Sequence, residues 1–153
     1  KKKMPHACIG VDVIVGFPGE TDEIFEQSFD YINDLDVSYL HVFTYSVRPN
    51  TVAIQLEGVV PNEKRAERSK RLRVLSNKKK EYFYRQFEGQ EVEVLFEETD
   101  VDGFIQGYSN NYLRCQLPFD SKLVNTVQKV RLEKLNSELV FESKIPEEIV
   151  ASI

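Results

Sequence analysis

Residues 9–21, IGVDVIVGFPGET, have the composition of an apolar strand that runs through a Gly-Pro-Gly turn into a helix. A helix N-terminus directly after such a turn presents free backbone N–H groups, which suit an anion or a polar ligand. Neither GxGxxG nor the GK[ST] of a P-loop is present, so the pattern alone does not establish phosphate binding. A nucleotide-binding loop and a simple tight turn, whose glycines relieve steric crowding, both remain open.

A second set of candidate residues lies in the last third of the chain, where apolar and polar residues alternate. The alternation predicts an outward strand face with an aromatic ring and three cations, flanked by two further residues. The candidate residues are Tyr108, Asn111, Tyr112, Arg114, Lys129 and Arg131. Such a face suits base stacking and contacts to RNA phosphates. Residues 88–153 hold 6 Lys or Arg against 13 Asp or Glu, so a solvated face without a ligand remains the alternative.

One βαβ unit would position the first candidate site. Residues 9–15 alternate valines on one face with Ile14 on the other, a pattern typical of a strand buried on both faces. Thr21 then has the side chain of a helix N-cap, with acidic residues after it. Residues 37–44 are rich in aromatic and β-branched residues and predict the next strand. We expect the two strands to be parallel and the crossover right-handed.

A long helix is predicted over residues 61–87. Proline stands at its start and Gly89 follows its end. The predicted apolar face comprises Leu72, Leu75 and Tyr82 and is continued by Phe83 and Phe87. The segment holds 10 Lys or Arg against 3 Asp or Glu, a balance of +7, whereas the segments before and after it are acidic.

Five short strands are predicted over residues 88–145, which describe a small antiparallel β-barrel of the OB or SH3 kind. Asn110 and Asn111 form the predicted hairpin turn, because asparagine tolerates positive φ. Residues 146–153 are predicted to be a tail.

Composition excludes several classes of protein. No apolar run approaches the ~20 residues that a transmembrane helix needs, and no signal-peptide pattern follows the KKKM start. Cys8 and Cys115 lie 107 positions apart, which predicts packed thiols in a reducing cytoplasm and excludes a local metal knuckle. We therefore expect a cytoplasmic protein without membrane contact.

Three stretches carry a family resemblance: DVIVGFPGET, YLHVFTYSVRPNT and PNEKRAERSKRLRVLSNKKKEYFYRQFEGQEVEVL. Together they resemble the C-terminal half of the radical-SAM methylthiotransferases, and most of all the branch that modifies threonylcarbamoyladenosine in tRNA. The family combines an N-terminal domain, a partial (βα)6 radical-SAM barrel and a C-terminal TRAM domain, which binds RNA. The resemblance implies that residues 1–60 are the end of the catalytic barrel, 61–87 a connecting helix, 88–145 the TRAM domain and 146–153 a tail.

The same resemblance implies cofactor contacts. Radical-SAM barrels carry a GxIxGxxxE strand motif whose apolar residue packs against the adenine of S-adenosylmethionine. Ile14, Gly16 and Glu20 match it, while Asp12 replaces its first glycine. The family's YSPRPGTPA stretch is matched in part by YSVRPNTVA, which begins at Tyr45. The resemblance implies that Tyr45 and Arg48 face the cofactor or the substrate.

The implied reaction is the 2-methylthio modification of a modified adenosine next to the anticodon. It needs a [4Fe-4S] cluster held by CxxxCxxC, which this sequence lacks. We therefore expect no catalytic or metal-binding residue here, no cofactor bound to the chain alone, and no activity without the remainder of the polypeptide. The implied partners are tRNA and that remainder, with dimerisation through exposed barrel edges as a further possibility.

Two alternatives remain at this point. The chain could be a non-catalytic RNA-binding or translation-associated β-barrel module whose βαβ unit is only a scaffold. The basic helix could contact tRNA, or it could bridge the two acidic segments electrostatically.

Overall fold

The computed structural model describes residues 1–146, without the side chains of residues 98–101. Apart from Pro146, the predicted tail lies outside the described residues. The chain divides into two compact units. We call residues 9–80 the N-terminal unit, and residues 1–8 together with the chain from Glu81 onward the barrel unit.

The N-terminal unit contains the predicted βαβ arrangement. Strand β1 (Gly10–Val15), helix α1 (Asp22–Asp34) and strand β2 (Tyr39–Thr44) follow one another, and the strands pair in parallel. Thr21 caps α1, because its Oγ1 accepts the Ile24 N–H at 3.2 Å. A 3₁₀ turn follows in the connection to helix α2 (Asn62–Arg85).

The core of the N-terminal unit lies on one face of the two-stranded sheet. Its buried members are Val15, Phe25, Leu40, Leu72 and Leu75. The prediction that β1 is buried on both faces is wrong, because Ile14 is 61% exposed. None of the described elements covers that face of the strand, so the sheet keeps an open side.

The barrel unit confirms the five predicted strands. They are β3 (Glu91–Val101), β4 (Phe104–Ser109), β5 (Arg114–Pro118), β6 (Val127–Leu135) and β7 (Phe141–Lys144). They close into a barrel in the order β3-β4-β5-β7-β6. Alternate residues point inward, and Val94, Phe96, Leu113 and Leu132 are fully buried in its core.

The prediction of a wholly antiparallel barrel is wrong at one seam. Strands β5 and β7 pair in parallel, with Cys115 opposite Phe141, while the other four pairs are antiparallel. A ring of five strands cannot alternate direction throughout, so closure with an odd number of strands requires one parallel pair. The described helices include none long and apolar enough to cross a membrane.

Two local predictions also need correction. Tyr82, predicted on the apolar face, is 71% exposed, whereas Phe83 and Phe87 are buried as predicted and Tyr84 is buried as well. The β4–β5 hairpin turn exists, but its positive φ of 62° falls on Tyr112. The connection from Ser109 to Leu113 has three residues, and such loops place the left-handed residue last.

Candidate functional site

The turn between β1 and α1 is held by the carboxylate of Glu20. Both oxygens of this carboxylate accept the Gly16 N–H at 3.1 Å. Gly16 has φ of +81° and Gly19 has φ of +89°, a conformation in which glycine is the favoured residue. The Gly16 N–H therefore makes its hydrogen bond within the turn itself.

Arg68 of α2 joins this turn to the start of α1. Its Nη1 donates to Glu20 Oε1 at 2.6 Å and to the Glu20 carbonyl at 3.0 Å, and its Nη2 donates to Asp22 Oδ1 at 2.6 Å. The Arg68 side chain is only 4% exposed. Burial lowers the pKa of Arg68, but the hydrogen bonds to Asp22 and Glu20 outweigh it and raise that pKa overall. Hydrogen bonds from Lys64 and Arg68 lower the pKa of Asp22.

Arg65 connects the same turn to the chain that follows β2. Its Nε donates to the Val60 carbonyl at 2.7 Å and its Nη1 to the Tyr45 carbonyl at 3.2 Å. The guanidinium also lies 5.3 Å from the centre of the Tyr45 ring. A Cβ atom added at Gly16 would overlap Arg65 Cγ. The absence of a side chain at Gly16 thus makes room for Arg65.

Three of the five residues implied as cofactor contacts come together at this turn, namely Gly16, Glu20 and Tyr45. Ile14 lies on the open face of the sheet, where it pairs in register with Phe43; the two residues are 61% and 53% exposed. Arg48 is exposed, and the structure gives its guanidinium no partner among the described residues.

Asp12 replaces the first glycine of the motif and lies on the same open face as Ile14. It stands opposite His41 in the parallel register, and both residues are exposed. The His41 ring lies 4.9 Å from that of Tyr39 in an edge-to-face arrangement. A carboxylate and an imidazole therefore accompany the apolar pair on this face.

Beside the unpaired edge of β1 lies an apolar cleft of about 400 Å³. Residues 11–15 of β1 and one face of α1 line it, including Val13, Phe29 and Ile32. In the described part of the chain β1 pairs with β2 alone. Both the edge and its adjoining apolar surface are therefore available to another segment.

The barrel places the six candidate RNA residues in two groups separated by β3. Tyr108 and Arg114 face each other across β4 and β5, with Asn111 and Tyr112 in the adjoining hairpin. Lys129 and Arg131 lie on β6, beyond the outward glutamates of β3.

Two of these candidate cations already have partners within the barrel. Lys129 forms an ion pair with Glu91 at 2.5 Å, which lowers the pKa of Glu91 through a hydrogen bond. Arg114 donates to Gln106 Oε1 at 2.5 Å. Sequence alternation missed an apolar row across the same surface, in which Val127, Leu95 and Tyr108 are neighbours and each is at least 43% exposed.

No protein-family model matches the chain. The chain is 34% identical over 138 residues to the threonylcarbamoyladenosine tRNA methylthiotransferase MtaB of Bacillus subtilis, covering 88% of this chain and 31% of that protein. It is 31% identical over 157 residues to the tRNA-2-methylthio-N(6)-dimethylallyladenosine synthase of Thermus thermophilus, covering 100% of this chain and 33% of that protein. The chain belongs to the tRNA methylthiotransferase family. A third relative, the tRNA-2-methylthio-N(6)-dimethylallyladenosine synthase of Bacillus pumilus, shares 31% identity over 150 residues, which cover 94% of this chain and 30% of that protein.

The chain spans about a third of the length of the curated relatives it matches. Its residues do not fit the iron–sulfur cluster that the family implies, because cluster ligation needs several thiolates close together. The sequence has Cys8 and Cys115 alone, and Cys115 is fully buried in the barrel core. Among the described side chains, those of residues 1–97 and 102–146, no group of three or more His, Cys, Asp or Glu is placed to hold a metal ion.

The sequence analysis missed Arg65 and Arg68, which bind Tyr45 and Glu20 from 20 and 48 positions further along the chain. The available signal was the charge of the segments, since a strongly basic helix follows a strongly acidic βαβ segment. That signal predicts attraction between the segments but cannot select which arginine meets which carboxylate.

Proposed function

We propose that this chain is part of a tRNA-modifying radical-SAM methylthiotransferase, to which it contributes one wall of the S-adenosylmethionine site and a tRNA-binding barrel. The observation that carries the proposal is similarity to tRNA methylthiotransferases along 88% to 100% of this chain. The activity, 2-methylthio modification of a modified adenosine next to the anticodon, belongs to the whole protein. A tRNA substrate also implies a cytoplasmic location.

We assign a different part of the enzyme to each of the two units. The parallel βαβ arrangement supports assignment of residues 1–60 to the end of a radical-SAM barrel, with residues 61–87 as a connecting helix. The closed five-stranded barrel supports assignment of residues 88–145 to a TRAM domain. The remainder of the polypeptide would cover the free edge of β1 and the cleft beside it. Dimerisation through the exposed edges is the competing way in which these surfaces would be covered.

The open face of the βαβ sheet suits the adenine of S-adenosylmethionine. Ile14 and Phe43 offer adjacent exposed apolar surface for a planar ring. Gly16 and Glu20 would hold the turn that positions Ile14, because the Glu20 carboxylate accepts hydrogen bonds from the Gly16 N–H and from Arg68. Tyr45 and Arg48 would face the cofactor or substrate from the next loop. When bound, S-adenosylmethionine supplies the radical and methyl chemistry of the family's reaction.

The first experiment addresses RNA binding by the chain. Fluorescence anisotropy with unmodified tRNA should show weak binding that falls steeply with salt, because phosphate contacts release counterions. Arg114→Ala combined with Arg131→Ala should weaken this binding. The matched control, Lys122→Ala combined with Lys134→Ala, removes the same charge from exposed positions outside the candidate face. Equal tRNA affinity in the two double variants would refute the assigned face.

A second experiment separates the enzyme from a non-catalytic RNA-binding module. The gene upstream of this segment should encode a CxxxCxxC loop, because the proposed cluster needs three nearby thiolates. A complete gene without such a loop would refute the enzyme and leave the RNA-binding module.

A further inference from the structure

Residues 70–80 of α2, KRLRVLSNKKK, contain six Lys or Arg residues and no Asp or Glu. Leu72, Leu75 and Ser76 within this stretch are buried and mark the face that packs in the N-terminal unit. A helix of this length presents its side chains to every side. The cations are therefore divided between a packed side and a solvent side of the helix.

The cations beside the packed face are used to hold α1. Arg71 binds both carboxylate oxygens of Glu26, at 2.5 and 2.7 Å. Lys79 Nζ donates to the carbonyls of Asn33 at 2.9 Å and Leu35 at 2.7 Å, at the C-terminal end of α1. A cation is favourable there because it meets the negative end of the helix dipole.

The solvent side carries Lys70, Arg73 and Lys78. All three are exposed, and the structure gives them no ion pair or hydrogen bond with the described residues. Lys70 and Lys78 are eight positions apart, so the three charges extend over about 12 Å of helix at 1.5 Å per residue. A nucleic-acid strand carries a phosphate about every 3.4 Å of duplex axis, so this length meets on the order of three phosphates.

The outer surface of the barrel is different in charge. Lys129 is paired with Glu91 and Lys144 with Glu133, and residues 88–153 have a formal balance of −7. The binding of a polyanion would therefore gain less energy from the barrel as a whole than from the solvent side of α2. There the three cations form no ion pair with the described residues, although Glu67 and Glu81 lie three positions from Lys70 and Lys78.

We infer that the solvent side of α2, around Lys70, Arg73 and Lys78, binds the phosphate backbone of RNA. The inference rests on the proposed function, because a tRNA substrate is what supplies the polyanion. Charge alone would also suit an acidic protein, but the curated relatives are named for enzymes that modify tRNA. The basic helix then has two roles, since one side holds α1 and the other contacts RNA.

The test variant is Lys70→Gln, Arg73→Gln and Lys78→Gln in the full chain, since glutamine keeps helix propensity. Its matched control removes three exposed cations of the barrel unit, through Lys2→Gln, Lys122→Gln and Lys134→Gln. Binding of unmodified tRNA is followed by fluorescence anisotropy over a salt series. We expect the affinity of the test variant for tRNA to be about tenfold lower at low salt. The slope of log K against log salt should become shallower by about 2, because each lost phosphate contact reduces that slope by roughly 0.7 to 0.9. The control should keep the wild-type slope.

The outcomes are distinguishable. A test variant with wild-type affinity and slope overturns this surface while the proposed function stands. A wild-type chain that binds no tRNA even at low salt overturns the proposed function and this inference with it. If polyglutamate binds as tightly as tRNA, and its affinity falls equally in the test variant, the ligand of this surface is an acidic protein and not RNA. Circular dichroism checks folding, and Arg73→Glu alone repeats the test if the triple variant unfolds.

Discussion

Arg68 lies 2.6 Å from Glu20, measured from Nη1 to Oε1, although 48 positions separate them in the chain. The same Glu20 carboxylate accepts the Gly16 N–H at 3.1 Å. A glutamate that belongs to a recognisable cofactor motif is thus occupied by two protein donors. What the structure shows for Glu20 is that it fixes the backbone of the turn.

Removal of Arg68 should destabilise the N-terminal unit. Arg68→Met leaves the partly buried Glu20 carboxylate without its charged donor, and we expect a loss on the order of 2 kcal/mol in the free energy of unfolding. Urea unfolding followed by helical circular dichroism measures it. Lys64→Met is the control, because the Lys64–Asp22 ion pair is exposed and such pairs contribute little. An equal change in both variants would contradict the structural role of Arg68.

A methyl group at Gly16 should be tolerated worse than one at Gly19. Both residues have positive φ, so each alanine variant should lose about 1 kcal/mol of stability from the left-handed backbone. Gly16→Ala also overlaps Arg65 Cγ, whereas a Cβ at Gly19 meets no atom within 4 Å. Thermal melting should therefore rank Gly16→Ala below Gly19→Ala, and a reversed order would show that Arg65 does not occupy the space beside Gly16.

Acid should weaken the attachment of α1 to α2. The hydrogen bond from Arg71 lowers the pKa of Glu26 below 4.5, and those from Lys64 and Arg68 lower the pKa of Asp22 below 3.8. A lowered carboxylate pKa in the folded state stabilises the fold above the ordinary pKa, and this stability is lost as the pH falls through the lowered pKa. The urea midpoint should therefore drop as the pH falls below about 4.5.

The matched variants isolate these two carboxylates. Asp22→Asn combined with Glu26→Gln should flatten the decline of the urea midpoint in acid. Glu57→Gln, at an exposed carboxylate for which the structure shows no ion pair with the described side chains, should leave the decline unchanged. An unchanged decline in the double variant would mean that other groups cause the acid sensitivity.

The two cysteines should differ in reactivity. Cys115 is fully buried, and burial raises the pKa of its thiol to about 12; Cys8 is half-buried. Because the thiolate is the reactive form, a disulfide reagent should modify Cys8 in the native chain and Cys115 only after denaturation. A Cys8→Ser variant should therefore show no native labelling, and rapid labelling of it would indicate that the barrel core opens readily.

The elements were predictable from sequence because the local patterns are strong. Alternation around Val94 and Phe96 identifies β3, and Thr21 identifies the start of α1. The open face at Ile14 was not predictable, since an apolar strand pattern does not reveal whether another element covers it. The parallel β5–β7 seam likewise depends on pairing between strands that are not neighbours in the chain.

The candidate site shows the same limit. The motif residues Gly16 and Glu20 could be found from their spacing, and they do meet in the structure. Arg68 could not be found in this way, because its role depends on how α2 packs against the turn. In the barrel, alternation identified the outward residues, but it could not show that β3 and its glutamates lie between the two groups, because that depends on strand pairing.

The closure of the barrel has a consequence for how it folds. Leu95 pairs with Val127 and Cys115 with Phe141, so both closing seams join segments that are distant along the chain. Such pairings must overcome loop entropy before they gain contact energy, and they slow folding. We expect the β3–β4–β5 meander to form early and to wait for β6 and β7. Until β6 and β7 pair with it, the meander has two unpaired strand edges that can pair with strands of other chains. The refolding yield should therefore fall as the protein concentration rises.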